Sequence, residues 1–72
     1  MNAAMTADEQ SMFELGAKYQ QAGLMLTPYD CQPVDQFIFA ETRGLDRTER
    51  ARIYNRLRGA FNRGWHTSNA AA

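Results

Sequence analysis

Asp46-Arg47-Thr48-Glu49-Arg50-Ala51-Arg52-Ile53-Tyr54-Asn55-Arg56-Leu57-Arg58-Gly59-Ala60-Phe61-Asn62-Arg63 is the stretch on which the reading of this chain turns. Asp46 and Glu49 form a cap-like pair, the Asp oxygen being placed to accept from first-turn N–H groups. Ile53, Tyr54, Leu57, Ala60 and Phe61 then fall within a stripe roughly 120° wide at about 100° per residue, the signature of a helix packed on one side. A helix is predicted over 46–63. Gly59 weakens its middle by up to about 1 kcal/mol relative to Ala. Gly64 reads as its end, Trp65 as folding back on the stripe, and His66 to Ala72 as a frayed tail.

Outward from this segment the pattern stays helical. Thr6 with Glu9 is a capping box, and Met12, Leu15, Tyr19 and Ala22 recur at helical steps, which predicts a helix over 7–22 closed by Gly23 at C′. A long connection, Leu24 to Gln32, opens with three apolar residues that are expected to pack onto the core. Pro33 suits the first turn of a second helix over 33–43, with Val34, Phe37, Ile38 and Glu41 on one face and Phe39 on the flank. Phe37 to Ala40 also has the composition of a short strand, but a lone strand finds no pairing partner here. The expected fold is a single all-α domain of three helices over 1–72, with 1–5 and 66–72 flexible.

Composition agrees. The chain has five Leu, four Phe and four Met but one Val and two Ile, which disfavours a sheet. Seventy-two residues bury only about 60% of the surface an unfolded chain exposes. One cysteine, Cys31, makes no internal disulfide. Such a core is marginal and leaves little room for an enclosed substrate pocket, so the length speaks against an enzyme, and the expectation is no cofactor. Cys31 with His66 as nucleophile and base has no oxyanion element beside it. The carboxylates Asp30, Asp35 and Glu41 have no cleft to work in, and no phosphate loop or metal-ligand spacing is present. No apolar run reaches 18 residues, the first residues lack a signal-peptide pattern, and an unpaired cysteine suits a reducing compartment; a cytoplasmic protein is expected.

The formal net charge is zero, but its distribution is uneven. Residues 1–42 carry six acids and Lys18, and residues 43–72 carry seven arginines with Asp46 and Glu49. Between Arg50 and Arg63 there are five arginines and no acid. Such asymmetry points to nucleic acid or to an acidic protein surface, although the two halves can also neutralise each other within one fold or across a homodimer. On the third helix Arg52, Arg56 and Arg63 lie in one row with Gly59, which permits close backbone approach, while Asn55 and Asn62 take the outer face. Arg47 and Arg58 fall on the opposite flank, and Arg50 near the stripe must snorkel or find an acid. Arginine grips phosphate or the edge of guanine with its planar fork, and asparagine pairs with adenine. The plain alternative is a solvated helix face with local ion pairs.

The turn before this helix reads Ala40-Glu41-Thr42-Arg43-Gly44-Leu45-Asp46-Arg47-Thr48. It resembles the corresponding part of several bacterial helix-turn-helix regulators: a small residue where two helices approach, then Gly at positive φ, then Leu. The resemblance spans residues 37–56. It implies a DNA-binding transcription regulator with Arg47, Thr48, Arg52 and Asn55 toward the major groove. The chain departs from the pattern at Arg50, where the family has an apolar residue. Two functions are therefore expected. One is a small regulator that binds DNA through Arg47, Thr48, Arg52, Asn55, Arg56 and Arg63. The other is an adaptor or inhibitor, of the kind a phage or plasmid encodes, that docks on an acidic protein with Tyr29, Phe39 and Trp65 as aromatic anchors.

Overall fold

The computed structural model describes residues 5–23 and 31–71. Among them are three helices, α1 (Ala7–Ala22), α2 (Gln32–Glu41) and α3 (Arg47–Ala71), and no strand, so the fold is all-α as the sequence predicts. Residues 24–30 of the first connection, Tyr29 and the three leading apolar residues included, lie outside the described residues. No described helix is long and apolar enough to cross a membrane.

The local signals act where they were read. Thr6 and Glu9 close a reciprocal capping box: Glu9 N–H donates to Thr6 Oγ1 at 3.2 Å, and Thr6 N–H donates to Glu9 Oε1 at 3.0 Å. Gly23 ends α1 with φ at 67°, a left-handed conformation that only glycine adopts cheaply. Pro33 sits in the first turn of α2. That helix ends at Glu41, and the buried Thr42 that follows donates its hydroxyl back to the Ile38 carbonyl at 2.9 Å. Asp46 caps α3 by accepting from Glu49 N–H at 2.8 Å.

Two expectations about α3 are corrected. It does not stop at Gly64, and His66 to Ala71 is not a frayed tail; the helix runs on to Ala71. Tertiary bonds from α1 explain the extension: Ser68 Oγ donates to Gln20 Oε1 at 3.1 Å, and Gln20 Nε2 donates to Asn69 Oδ1 at 3.1 Å. Gly64 is instead a packing residue. A Cβ there would overlap the carbonyl oxygen of Phe13, and a Cβ at Gly16 would overlap that of Phe61. The backbones of α1 and α3 therefore touch at a reciprocal pair of glycines, close enough for Cα–H groups to face carbonyl oxygens.

The register gives the topology. Thr6 and Glu9 lie beside Arg56, Gly16 beside Phe61 and Trp65, and Gln20 beside Ser68 and Asn69, so α1 and α3 run parallel. Asp35 meets Arg58 and Tyr54, and Phe39 meets Tyr54, so α2 runs antiparallel to α3. The core is where all three meet, formed by Met12, Val34, Ile38, Leu57, Ala60 and Phe61, with Cys31 also buried. Tyr19 packs edge-on against the Phe61 ring at 5.6 Å. Trp65 is only 8% exposed, so it belongs to the packed interior and cannot serve as the partner anchor that the sequence suggested. Phe37, expected on the buried face of α2, is 48% exposed; Val34 and Ile38 alone face inward from that helix.

Candidate functional site

Seven arginines lie between residues 43 and 63, and the fold divides them by environment. Arg58 is buried, with 6% of its surface exposed. Its Nε donates toward Asp35 Oδ1 at 3.3 Å, its guanidinium lies over the Phe61 ring at 5.1 Å, and Tyr54 donates its hydroxyl to the same Asp35 oxygen at 2.8 Å. Burial raises the Tyr54 hydroxyl above its usual pKa, and the bond to Asp35 adds to that. This trio pins α2 to α3. The helical wheel alone had left Arg58 on a flank, because the acid that draws it inward is on another helix.

The row of Arg52, Arg56 and Arg63 is partly engaged inside the fold. Arg56 reaches α1, where it donates to Thr6 Oγ1 at 3.2 Å and lies 3.6 Å from Glu9. Glu9 has its pKa lowered, first by the Thr6 backbone N–H and also by the positive charges of Arg56 and Arg63. Arg52 pairs with Glu49 at 2.8 Å on the exposed side of α3, and Arg63 is exposed. Gly59 in this row has the Arg63 Nη1 3.4 Å from where a Cβ would stand, so it marks no close backbone approach within the fold.

A different group of arginines is free. Arg43, Arg47 and Arg50 are exposed and form no ion pair with any described residue. They come together at the end of the molecule where α2 turns into α3. There Phe39, 50% exposed, stacks on Tyr54 with ring centroids 5.7 Å apart and planes 13° from parallel. A shallow hollow of about 340 Å³ is lined by Phe39, Arg47, Arg50, Ala51, Tyr54 and Asn55. A second, of about 330 Å³, is lined by Gln36, Phe39, Ala40, Arg43, Gly44 and Arg50. Phe39 and Arg50 are common to both and so stand between them. Gly44 takes φ at 89°, which lets the chain turn sharply enough to bring Arg43 to the same surface as Arg47.

Of the residues singled out in the sequence, Arg47, Asn55 and Phe39 thus share one surface. Arg52, Arg56 and Arg63 do not line either hollow, and Thr48 is exposed without lining one. Arg43, Arg50, Gln36 and Tyr54 were missed. Arg50 offered a signal, as a cation near an apolar stripe with no acid assigned to it. Arg43 could be placed only once the turn geometry was known.

The described residues contain no group of three His, Cys, Asp or Glu side chains able to hold a metal ion. Comparison with known proteins gives no match to a family model, to a curated protein or to a solved structure.

Proposed function

We propose that this protein is a small, non-enzymatic regulator that binds nucleic acid through the surface formed by the α2–α3 turn and the N-terminal half of α3. One observation carries the reading: Arg43, Arg47 and Arg50, three exposed guanidinium groups without acidic partners among the described residues, surround a half-exposed aromatic stack with Asn55 beside it. In a chain of zero net charge, guanidinium groups that make no ion pair among the described residues remain available to a polyanion. The left-handed Gly44 is what the helix-turn-helix resemblance implies at that position. Arg50 faces solvent where that pattern has a core residue, so the docking face of α3 is assigned to the arginines around Phe39 rather than to the row of Arg52, Arg56 and Arg63.

The test is a salt titration of binding to labelled DNA. Three neutralised phosphates give a slope of log K against log salt of about −2 to −3. Arg47→Ala or Arg50→Ala should each reduce that slope by roughly 1. Arg52→Ala should change it less, since Arg52 is already paired with Glu49. Absence of binding at about 50 mM salt refutes the proposal.

A second reading, an adaptor or inhibitor seated on an acidic protein, draws on the exposure of Phe37, Phe39 and Leu45. Large apolar side chains beside cations are a common make-up of protein interfaces. A complex of that kind survives nuclease treatment, whereas one bridged by nucleic acid does not.

A further inference from the structure

The geometry points to a stacking platform: Phe39, backed by Tyr54, accepts an unpaired nucleobase on its ring, so the preferred ligand is a single strand rather than a duplex. This rests on the nucleic-acid reading above and narrows its substrate class.

Four features support it. The Phe39 ring stacks on Tyr54 yet stays half exposed, so one side is supported and surface remains for a ligand. The support is rigid. Tyr54 is held through its hydroxyl by Asp35, and Asp35 by Arg58, which is almost wholly buried and itself lies over Phe61. A ring anchored this way loses little freedom when a base settles on its neighbour, which is the entropic advantage of a preformed site. Hollows of about 340 and 330 Å³ flank Phe39, and each is lined by arginines: Arg47 and Arg50 in one, Arg43 and Arg50 in the other. A strand crossing Phe39 would therefore meet cations before and after the stacked base. Aromatic faces between basic groups are the recurring means of holding single strands, because every base has a π-face and every linkage a phosphate. A duplex keeps its bases stacked on one another and has none to offer the ring.

Gln36 and Asn55 line the two hollows, one in each, and can bond to base edges. An acidic peptide satisfies the arginines but gives the flat ring no comparable face.

Fluorescence anisotropy with the full chain tests this directly. The probes are a labelled oligothymidylate of about ten nucleotides, a G·C-rich hairpin with a duplex stem of about ten base pairs, and an abasic strand of equal length to the first. The intact strand should bind at least about fivefold more tightly than either of the other two, from the 1–3 kcal/mol that stacking one base contributes. Phe39→Ala should bring the strand down to the abasic level, while Phe39→Trp should retain or improve its binding. The abasic comparison uses the native protein and does not depend on how a variant folds. Equal affinity for all three probes, unchanged in Phe39→Ala, overturns the platform and leaves the polyanion reading standing. Binding to none of them, or only to a peptide rich in Asp and Glu, overturns both.

Discussion

Adding one methyl group at Gly64 tests the packing of α1 against α3 more sharply than any larger change. In Gly64→Ala the new Cβ would overlap the Phe13 carbonyl oxygen and lie 2.7 Å from the Phe13 carbonyl carbon. An ordinary contact between carbon atoms is about 3.5–4.0 Å. The obstacle is helix backbone, which cannot rotate away as a side chain can, so the helices must part by about 1 Å. A gap of that size forfeits roughly a quarter to a half of the dispersion energy of each contact that opens. Overpacking of this sort costs about 1–3 kcal/mol and occasionally more. Against it stands the gain of about 1 kcal/mol from replacing glycine by alanine within a helix. With helix backbone as the obstacle the cost falls at the upper end, about 3 kcal/mol, so we expect a net loss of about 2 kcal/mol, which at about 4–8 °C per kcal/mol in a domain of this size lowers Tm by roughly 8–16 °C.

Gly59→Ala is the matched control. It makes the same chemical change on the same helix, but the only neighbour within 4 Å is the flexible Arg63 guanidinium at 3.4 Å. There the propensity gain is unopposed, and stability should rise by up to about 1 kcal/mol. Thermal and urea denaturation of the two variants beside the native chain gives both signs. If Gly64→Ala proves as stable as Gly59→Ala, the close backbone contact does not exist in solution and the parallel packing must be redrawn.

Further outcomes concern the polar groups. Asp35→Ala removes both the partner of buried Arg58 and the acceptor of Tyr54, and should cost about 3 kcal/mol by chemical denaturation. The double variant Asp35→Ala/Arg58→Met should recover most of that, because no buried charge is then left unpaired. Tyr54 has its pKa raised above 10.0 in the fold. Its contribution to stability is therefore complete below pH 10 and is lost as pH rises through the folded value. A spectrophotometric titration should show a tyrosine component above pH 10 that Tyr54→Phe lacks. Glu9 is shifted the other way, from 4.5 downward, so its contribution is present above pH 4.5 and disappears as pH falls through the lowered value. The acid unfolding curve of Glu9→Gln should lack that part of the slope. Thr6→Ala, which removes the cap and the acceptor of Arg56, should cost about 1 kcal/mol in denaturation.

The helices were legible because their signals are local. Thr6 with Glu9, Pro33, and Asp46 with Glu49 each act on backbone groups within one turn, and the stripe of Ile53, Leu57, Ala60 and Phe61 needs no knowledge of its partner. Gly64 shows where that reasoning stops. Glycine ends helices and also lets them touch, and one letter does not tell which. The hint was its spacing, four residues after Ala60, with Gly16 available on the first helix; small residues one turn apart favour close helix contact. The binding surface was half legible for a related reason. A wheel drawn on α3 groups Arg52, Arg56 and Arg63, since it sees one helix only. The opposite wall, Phe39 and Arg43, comes from the other side of a turn, and it brings Arg47 and Arg50 into a different company. Arg58 was misplaced because Asp35, which draws it inward, lies 23 positions away in the chain.

The parallel pairing of α1 with α3 bears on how the molecule reaches its native state. The hydrogen bonds joining these helices link residues 48, 49 and 50 positions apart in a chain of 72. Most small helical proteins fold quickly because their contacts are close in sequence. In this protein the first helix must await the last, with the α2–α3 hairpin as the nearest local nucleus. Relative contact order is thus high for an all-helical chain, and refolding should be slower than its helical content suggests. Emerging from the ribosome, α1 has no stable seat until partners 48 to 50 positions further along the chain are free.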